Sequence, residues 1–449
     1  MAGATYLEQL LGKRSRTIEA PDIERLVAMA VAEDDSLEYK RQPWGKDEKG
    51  RQECAKDIAG LANGQGGFIV LGVDETERVI SASPFELAGE LGPWVHSALH
   101  SRLRPVPAFD CRVIPNGDDG HYALISVPRS PDAPHSIDFG ETQSCGFPIR
   151  RGASTQWLRE YEVAALYRSR FTAQLDRQER LSNLVAVATD EPPATEPRVW
   201  LTVTLVPLIT GIVRVGRDTP SRLMQALNAF GEPYAFRQGN PFRPQAWRLG
   251  PRMVRLRDYQ DVSIGELYSD GSVWLRAPVE AHWRTQRTLL QHEPQPEAVD
   301  AAYLVPWISA LVGAAARYTT EEAGCMGTCL VHVTLGGRNQ VGTRASYAIM
   351  HANGPELRPF LGDAIVSEAA ASQTVDLADH AFGPCEGHVR VVRALAEELF
   401  QAAGAPDPPQ LDADGRVRTK AWPSLRRRDV TEWCSEFSIP TSDEECTWW

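Results

Sequence analysis

Phe68-Ile-Val-Leu-Gly-Val73, entered through Gly66-Gly67, is the stretch that most narrows what this chain can fold into. An unbroken apolar run of strand length has no polar side to offer water, so it predicts a strand buried on both faces. Such a strand needs a sheet with cover on each side, and the neighbouring sequence supplies it. From Pro21 to Met29, apolar Ile23, Leu26 and Val27 and then Ala30 recur at helical spacing, with Pro21 and Asp22 suited to a first turn. Between Glu53 and Ala62, Ile58, Leu61 and Ala62 form a helical stripe that Asn63-Gly64 is placed to stop. Leu37-Glu38-Tyr39-Lys40 alternates like a half-buried strand, and His121 to Val127 reads as another. Ile149-Arg-Arg-Gly152 ends one more strand, after which Ser154 or Thr155 is expected to cap a helix reaching Tyr167.

The chain has 449 residues, a length that suits two to three domains. Proline-rich breaks occur at 191–197, 293–296 and 404–409, and proline continues neither a helix nor a central strand. We therefore expect an α+β protein: an N-terminal α/β module over 1–171, a helical connector and proline-rich linker over 172–198, and an α+β region over 199–449 with a possible sub-boundary near 291–297. In that last region Val199 to Val206 and Thr328 to Leu335 read as strands, the second with Cys329, Val331, Val333 and Leu335 on one face. Tyr268-Ser-Asp-Gly-Ser272 reads as a hairpin turn, and Ala298 to Ala316 and Val389 to Ala403 as helices.

Composition excludes several classes. With 43% apolar and 24% charged residues the chain is neither largely disordered nor fibrous. Its longest nearly apolar run, Leu304 to Ala316, is shorter than the ~20 residues that span a bilayer, so no membrane role is expected. No secretory signal is expected, and the eight cysteines are too few for a disulfide scaffold, which together point to reduced thiols in a cytoplasm. Residues 1–171 carry 20 basic and 25 acidic side chains and the remainder 27 and 34, so any grip on nucleic acid must come from a local patch.

The chemistry concentrates between Glu33 and Glu75. Five residues along one helix would set Glu33 and Glu38 about 140° apart. They converge only if Glu33 lies on a helix end or loop and Glu38 on the following strand, where Glu38 and Lys40 share a face opposite Leu37 and Tyr39. Asp74 and Glu75 lie where the Phe68–Val73 strand runs out. If the two strands are neighbours, Glu33, Glu38 and Glu75 meet with Lys40 beside them. Three carboxylates at one place repel unless a cation lies between them, and Mg²⁺ or Mn²⁺ favours such hard oxygen ligands. The plainer reading keeps Glu33, Asp34 and Asp35 as a solvated acidic turn and Glu38–Lys40 as an exposed edge pair.

Glu33 with Leu37-Glu-Tyr-Lys40, Ile58-Ala-Gly-Leu-Ala-Asn-Gly-Gln-Gly-Gly67 and Ile69-Val-Leu-Gly-Val-Asp-Glu75 resemble the motifs of the Schlafen AlbA_2 domain. The resemblance continues through Ile125-Ser-Val-Pro-Arg-Ser-Pro-Asp-Ala-Pro-His135 and Ile149-Arg-Arg-Gly-Ala-Ser-Thr155 to Leu166-Tyr-Arg168, so it covers roughly residues 20–171. It implies a nucleic-acid-binding α/β module. In the family's nucleases three acids form a Mg²⁺- or Mn²⁺-dependent centre that cleaves RNA, notably tRNA. On that pattern Glu33 and Glu38 match the first two acids, Glu75 takes the third place where the family usually has Asp, with Asp74 as an alternative, and Lys40 matches the motif lysine. RNA is the favoured partner, DNA the alternative; a homodimer and a role in bacterial stress or antiphage defence follow by the same analogy. Two other readings stand beside it: a regulator that binds DNA or RNA without chemistry, and a DNA nuclease of the PD-(D/E)xK kind built on Glu38-x-Lys40.

Further basic residues are candidate contacts to nucleic acid: Arg150 and Arg151 ahead of the expected helix cap, and Lys46, Lys49 and Arg51 in a polar loop where Trp44 would stack on a base. Arg102 and Arg104 would extend that patch. The Asn63–Gly67 glycines lack the Lys-Ser/Thr ending of a phosphate loop, so ATP is not expected. Cys325, Cys329, Cys385 and His388 have loose spacing, and zinc is not expected either. His135 reads as structural, His332 as a surface or hydrogen-bonded histidine, and Arg426-Arg-Arg428 as a solvated basic turn.

Overall fold

A computed structural model of the chain describes residues 7–444 except 8–9, 14, 77–78, 88, 118–119, 140–143, 192–197, 214, 259–262, 280–296, 339–346, 354–355, 360–367, 382 and 423. All but Glu191 of the expected break at 191–197, the break at 293–296, and most of the sub-boundary near 291–297, lie outside the described residues. The chain divides into two compact units, Met1–Asp176 and Arg177–Trp449. Among the described residues no helix is long and apolar enough to cross a membrane.

In the first unit the main elements are α1 (Ala20–Ala28), β1 (Leu37–Lys40), α2 (Glu48–Asn63), β2 (Gly66–Leu71), β3 (Val73–Thr76), β4 (Val79–Ala82), α3 (Leu91–Arg102), β5 (Asp110–Pro115), β6 (His121–Pro128), β7 (Pro148–Arg151) and β8 (Ser154–Trp157), followed by α4 (Glu160–Asp190), whose residues from Arg177 on belong to the second unit. One sheet runs β1-β2-β6-β5. β1 lies parallel to β2, with Glu38 beside Ile69 and Lys40 beside Leu71, and β2 and β6 are antiparallel.

The apolar run is buried on both faces, as its pattern requires. Phe68 and Val70 pack with Leu37, Tyr39, Ile23 and Leu26 in one core, while Ile69 and Leu71 pack with Ile58, Leu61 and Leu99 in the other. Parity does this: alternate residues of β2 go to opposite layers. Gly67 has no Cβ because a Cβ there would lie 2.1 Å from the Ser36 carbonyl oxygen. That close approach lets the Phe68 amide donate to Ser36 O at 2.8 Å, which fixes the start of β1 against β2.

Two local expectations are corrected. Ser154 and Thr155 do not cap a helix; they belong to β8, antiparallel to β7, and the helix begins at Glu160. Gly152 takes φ +60 and so permits the tight turn between the two strands. Lys49 and Arg51 are not in a loop, because the Asp47 side chain accepts from the Gly50 amide at 2.9 Å and starts α2 early.

The second unit is built on an antiparallel sheet. Its strands are β9 (Arg198–Pro207), β10 (Ala246–Gly250), β11 (Met253–Arg257), β12 (Ile264–Tyr268), β13 (Val273–Pro278), β14 (Thr328–Arg338) and β15 (Glu368–Asp376), in the order β10-β11-β12-β13-β9-β14-β15. The longer helices that accompany it among the described residues are α5 (Thr219–Phe230), α6 (Ala301–Arg317), α7 (Glu386–Ala402) and α8 (Ser424–Glu436). Cys329, Val331, Val333 and Leu335 of β14 all enter the core with α6 and α7. Arg426–Arg428 lie on α8 rather than in a turn; Arg426 covers the Tyr303 ring and Arg428 pairs with Glu432.

Candidate functional site

Helix α1 ends at Ala28, so Glu33 reaches β1 through a loop. The Asp34 amide donates to Leu37 O at 3.2 Å, a tight reversal that turns Glu33 back toward the strand. Glu33 Oε1 then accepts from the Tyr39 amide at 2.7 Å. Its backbone amide donates to Glu75 Oε2 at 2.9 Å, which brings the third acid alongside. Asp74 instead accepts from Thr76 Oγ1 at 3.1 Å.

Between Glu33 and Glu38 lies the Arg150 guanidinium. Nη1 donates to Glu38 Oε2 at 2.9 Å, and Nη2 donates to Glu33 Oε2 at 3.2 Å and to Leu37 O at 2.9 Å. Nε donates to Asp34 O at 2.7 Å. The side chain of Arg150 is 3% exposed, so its charge is spent inside the protein and does not face a solvent-borne phosphate. The Gly152 amide donates to Asp35 and ties the β7–β8 turn to the acidic loop.

On the same face of β1, Lys40 Nζ lies 3.0 Å from Glu38 Oε1 and 2.8 Å from Asp57 Oδ2. The Trp44 indole donates to the same Asp57 oxygen at 2.8 Å, and Lys40 lies 5.8 Å from its ring centroid. Trp44 is therefore a buried brace, not a stacking platform for a base. Burial and the repulsion of Asp57 push the Glu38 carboxyl pKa up, against the pull of Lys40 and Arg150. Burial opposes the charge on Lys40, yet Asp57 and Glu38 outweigh it and raise its pKa.

A divalent metal does not fit this arrangement as it stands. Both Glu33 oxygens and both Glu38 oxygens already accept from protein N–H groups or cations. Among the described residues no group of three or more His, Cys, Asp or Glu side chains is placed to hold a metal ion. Cys385 and His388, weighed above with the strand cysteines, serve the start of α7, where the Cys385 sulfur accepts from the His388 amide at 3.4 Å.

The other basic candidates divide by exposure. Arg151 is exposed and pairs with Glu162. Lys46 and Lys49 are exposed ahead of and within the first turn of α2. Arg51 donates to Ser97 Oγ at 3.2 Å and lies 6.0 Å from the Trp94 ring centroid. Arg102 donates to Asp138 O at 3.0 Å, and Arg104 to His100 O at 2.7 Å, so both are engaged locally. Asn63 bonds the Pro148 and His135 carbonyls at 2.8 and 3.0 Å, consistent with a helix stop. His135 is buried with Nδ1 on Pro105 O at 2.7 Å, a structural part. His332 bonds Ser372 at 2.7 Å.

Asp57 is the member that spacing arguments passed over. It lies one position before Ile58 and three after Cys54 on the inward stripe of α2, and a carboxylate on an apolar stripe is the signal that would have found it.

Residues 33–159 match the Schlafen AlbA_2 domain family. The solution NMR structure of the N-terminal domain of a protein related to the ATP-dependent DNA helicase RecG, from Nitrosomonas europaea, is 18% identical over 36% of this chain and 97% of that one, with a TM-score of 0.21, a likeness too slight to carry an argument. No curated protein matches the chain.

Proposed function

We propose that this Schlafen AlbA_2 domain is a nucleic-acid-binding module whose acidic motif is neutralised from within by Arg150 and Lys40. The family match supports a nucleic-acid-related function. The observation that carries the finer reading is the guanidinium set between Glu33 and Glu38, in the place a metal ion would need. With its carboxylates satisfied, the motif holds the acidic loop, β1 and the β7–β8 turn as one piece. Binding then falls to exposed Lys46, Lys49 and Arg151 around it, with RNA as the favoured partner and DNA as the alternative.

A second reading is a Mg²⁺- or Mn²⁺-dependent endonuclease acting on structured RNA such as tRNA, with Glu33, Glu38 and Glu75 as ligands and Lys40 beside them. It is favoured by the Glu33 amide on Glu75 Oε2, which brings the third acid beside the backbone of the first. It requires Arg150 to leave. A homodimer, a cytoplasmic setting and a role in bacterial defence belong to the same family analogy.

The deciding experiment incubates the full chain with tRNA, single-stranded RNA, single-stranded DNA and duplex DNA, each in Mn²⁺, Mg²⁺ or EDTA. The binding reading predicts salt-sensitive complexes that persist in EDTA and no new cleavage products. Metal-dependent products that vanish in Glu38→Ala would replace it with the nuclease.

A further inference from the structure

The second unit contains a concentration of one charge that net composition conceals. Between residues 233 and 257 there are six arginines and neither Asp nor Glu, in a chain whose net charge is −12. Four of them, Arg248, Arg252, Arg255 and Arg257, lie on the terminal strand β10, its neighbour β11 and the turn between them, at one margin of the large sheet, whereas Arg237 pairs with Glu432 and Glu436 of α8 and Arg243 lies 3.8 Å from Glu232.

Register decides which of them share a face. Arg248 stands directly opposite Arg255, and Ala246 opposite Arg257. Directly paired residues project to the same side, so Arg248, Arg255 and Arg257 lie on one face, separated at the edge only by Ala246 and Gly250. The next strand compensates Arg255: Glu266 lies opposite it, with Arg255 Nη1 to Glu266 Oε1 at 3.3 Å, and Glu191 pairs with it as well. The same face further in is covered by Leu181, Leu184 and Ala188 of α4, packed on Ile264 and Trp274. Arg248 and Arg257, beyond that cover, are exposed, as are Arg243 and Arg252.

Two features work against stability at this margin. Like charges directly across a strand pair repel, and the Arg248–Arg255 register places them so. Arg252, at the β10–β11 turn, holds φ +56, a conformation that glycine or asparagine adopts with less strain. Trp247 and Leu249, on the opposite face of β10, where α5 packs against the strand, are 41% and 45% exposed.

We infer that this arginine margin is a second binding surface, a track for the phosphate backbone of single-stranded nucleic acid. Guanidinium groups flanked on one strand face by Ala246 and Gly250 present forked donors that a flexible sugar-phosphate chain can follow. The inference rests on the reading that the chain handles nucleic acid, and it gives the second unit a part in that work.

The test uses full-length chain and a fluorescein-labelled poly(U) strand in anisotropy titrations over a range of salt, with heparin as a polyanion that is not a nucleic acid. Arg248→Glu combined with Arg252→Glu should weaken poly(U) binding at least ~10-fold and flatten the log–log salt dependence by about 1.4, the release expected for two contacts to a single strand. Its thermal midpoint should not fall, since the substitution relieves repulsion. Unchanged poly(U) affinity, a loss confined to heparin, or a lowered midpoint would each overturn the proposal. Lys46→Glu with Lys49→Glu separates it from the first unit. Loss there alone leaves the N-terminal reading and removes this one, loss at the margin alone does the reverse, and a wild-type chain that binds no nucleic acid removes both.

Discussion

Arg150 Nη1 donates to Glu38 Oε2 at 2.9 Å across 112 residues of sequence. The same guanidinium holds Glu33, Asp34 O and Leu37 O. One buried side chain therefore joins the acidic loop, strand β1 and the β7–β8 turn.

Replacing Arg150 by Met leaves buried Glu38 with Lys40 as its one cation and part-buried Glu33 without the guanidinium that meets it. Breaking a buried pair from one side typically costs 3–5 kcal/mol, so urea denaturation should find a loss of about that size. Arg150→Lys should recover only part of it, because an ammonium cannot fork to two carboxylates and two carbonyls at once. A loss below about 1 kcal/mol for the Met variant would mean the contacts do not hold the domain together.

Asp57→Asn keeps an acceptor for the Trp44 indole but removes the charge that Lys40 meets at 2.8 Å. The expected cost is about 1–3 kcal/mol, with Asp57→Ala costing more because the indole N–H is then stranded. The Lys40 pKa should fall in the Asn variant, a change visible by NMR of the lysine side chain.

Gly67→Ala sets a methyl 2.1 Å from the Ser36 carbonyl oxygen, a contact only backbone movement can relieve. Because that movement would part β1 from β2, we expect a loss of more than about 2 kcal/mol. Thermal unfolding checks it, and a variant as stable as wild type would contradict the account of how Gly67 admits Ser36.

Much of this architecture is written locally. The Phe68–Val73 run implies a two-sided sheet, and the alternation of Leu37 to Lys40 already puts Glu38 and Lys40 on one face, where the structure finds them against Asp57. The role of Arg150 is not local: its partners are more than a hundred residues away, and an Arg-Arg pair at a strand end looks the same whether it faces water or an internal carboxylate. Ser154 carries the preference of a helix cap, but Gly152 has already turned the chain into a hairpin. The β10 margin was hidden for another reason. Its arginines become a surface only once strand order leaves β10 at the edge.

Stability should rise with pH between about pH 4 and pH 6.5. Burial lowers the His135 and His380 pKa values from 6.5 to about 4, and burial with the nearby His380 depresses His388 further. The contacts of His388 require a neutral ring. The Ser309 hydroxyl donates to Tyr234 O at 2.7 Å, so His388 Nε2–H donates to Ser309 Oγ at 2.8 Å, and His388 Nδ1 accepts from His380 Nδ1 at 2.6 Å. A folded-state pKa below the unfolded one means the contribution is whole above about pH 6.5 and is lost as pH falls toward 4, on the order of 3 kcal/mol for His135. Urea midpoints measured across that range should fall with acidity, and His135→Leu should flatten the slope; a midpoint that rises on acidification would refute the neutral assignment.

The central claim is that protein cations, not a metal ion, balance Glu33 and Glu38. Its most direct test is Mn²⁺ binding to the full chain, followed by the electron paramagnetic resonance signal of free Mn²⁺ and run beside Glu38→Gln. The account predicts titrations of wild type and Glu38→Gln that superimpose, with no Mn²⁺ retained through these carboxylates. One Mn²⁺ held per chain in the wild type and released by Glu38→Gln would contradict it.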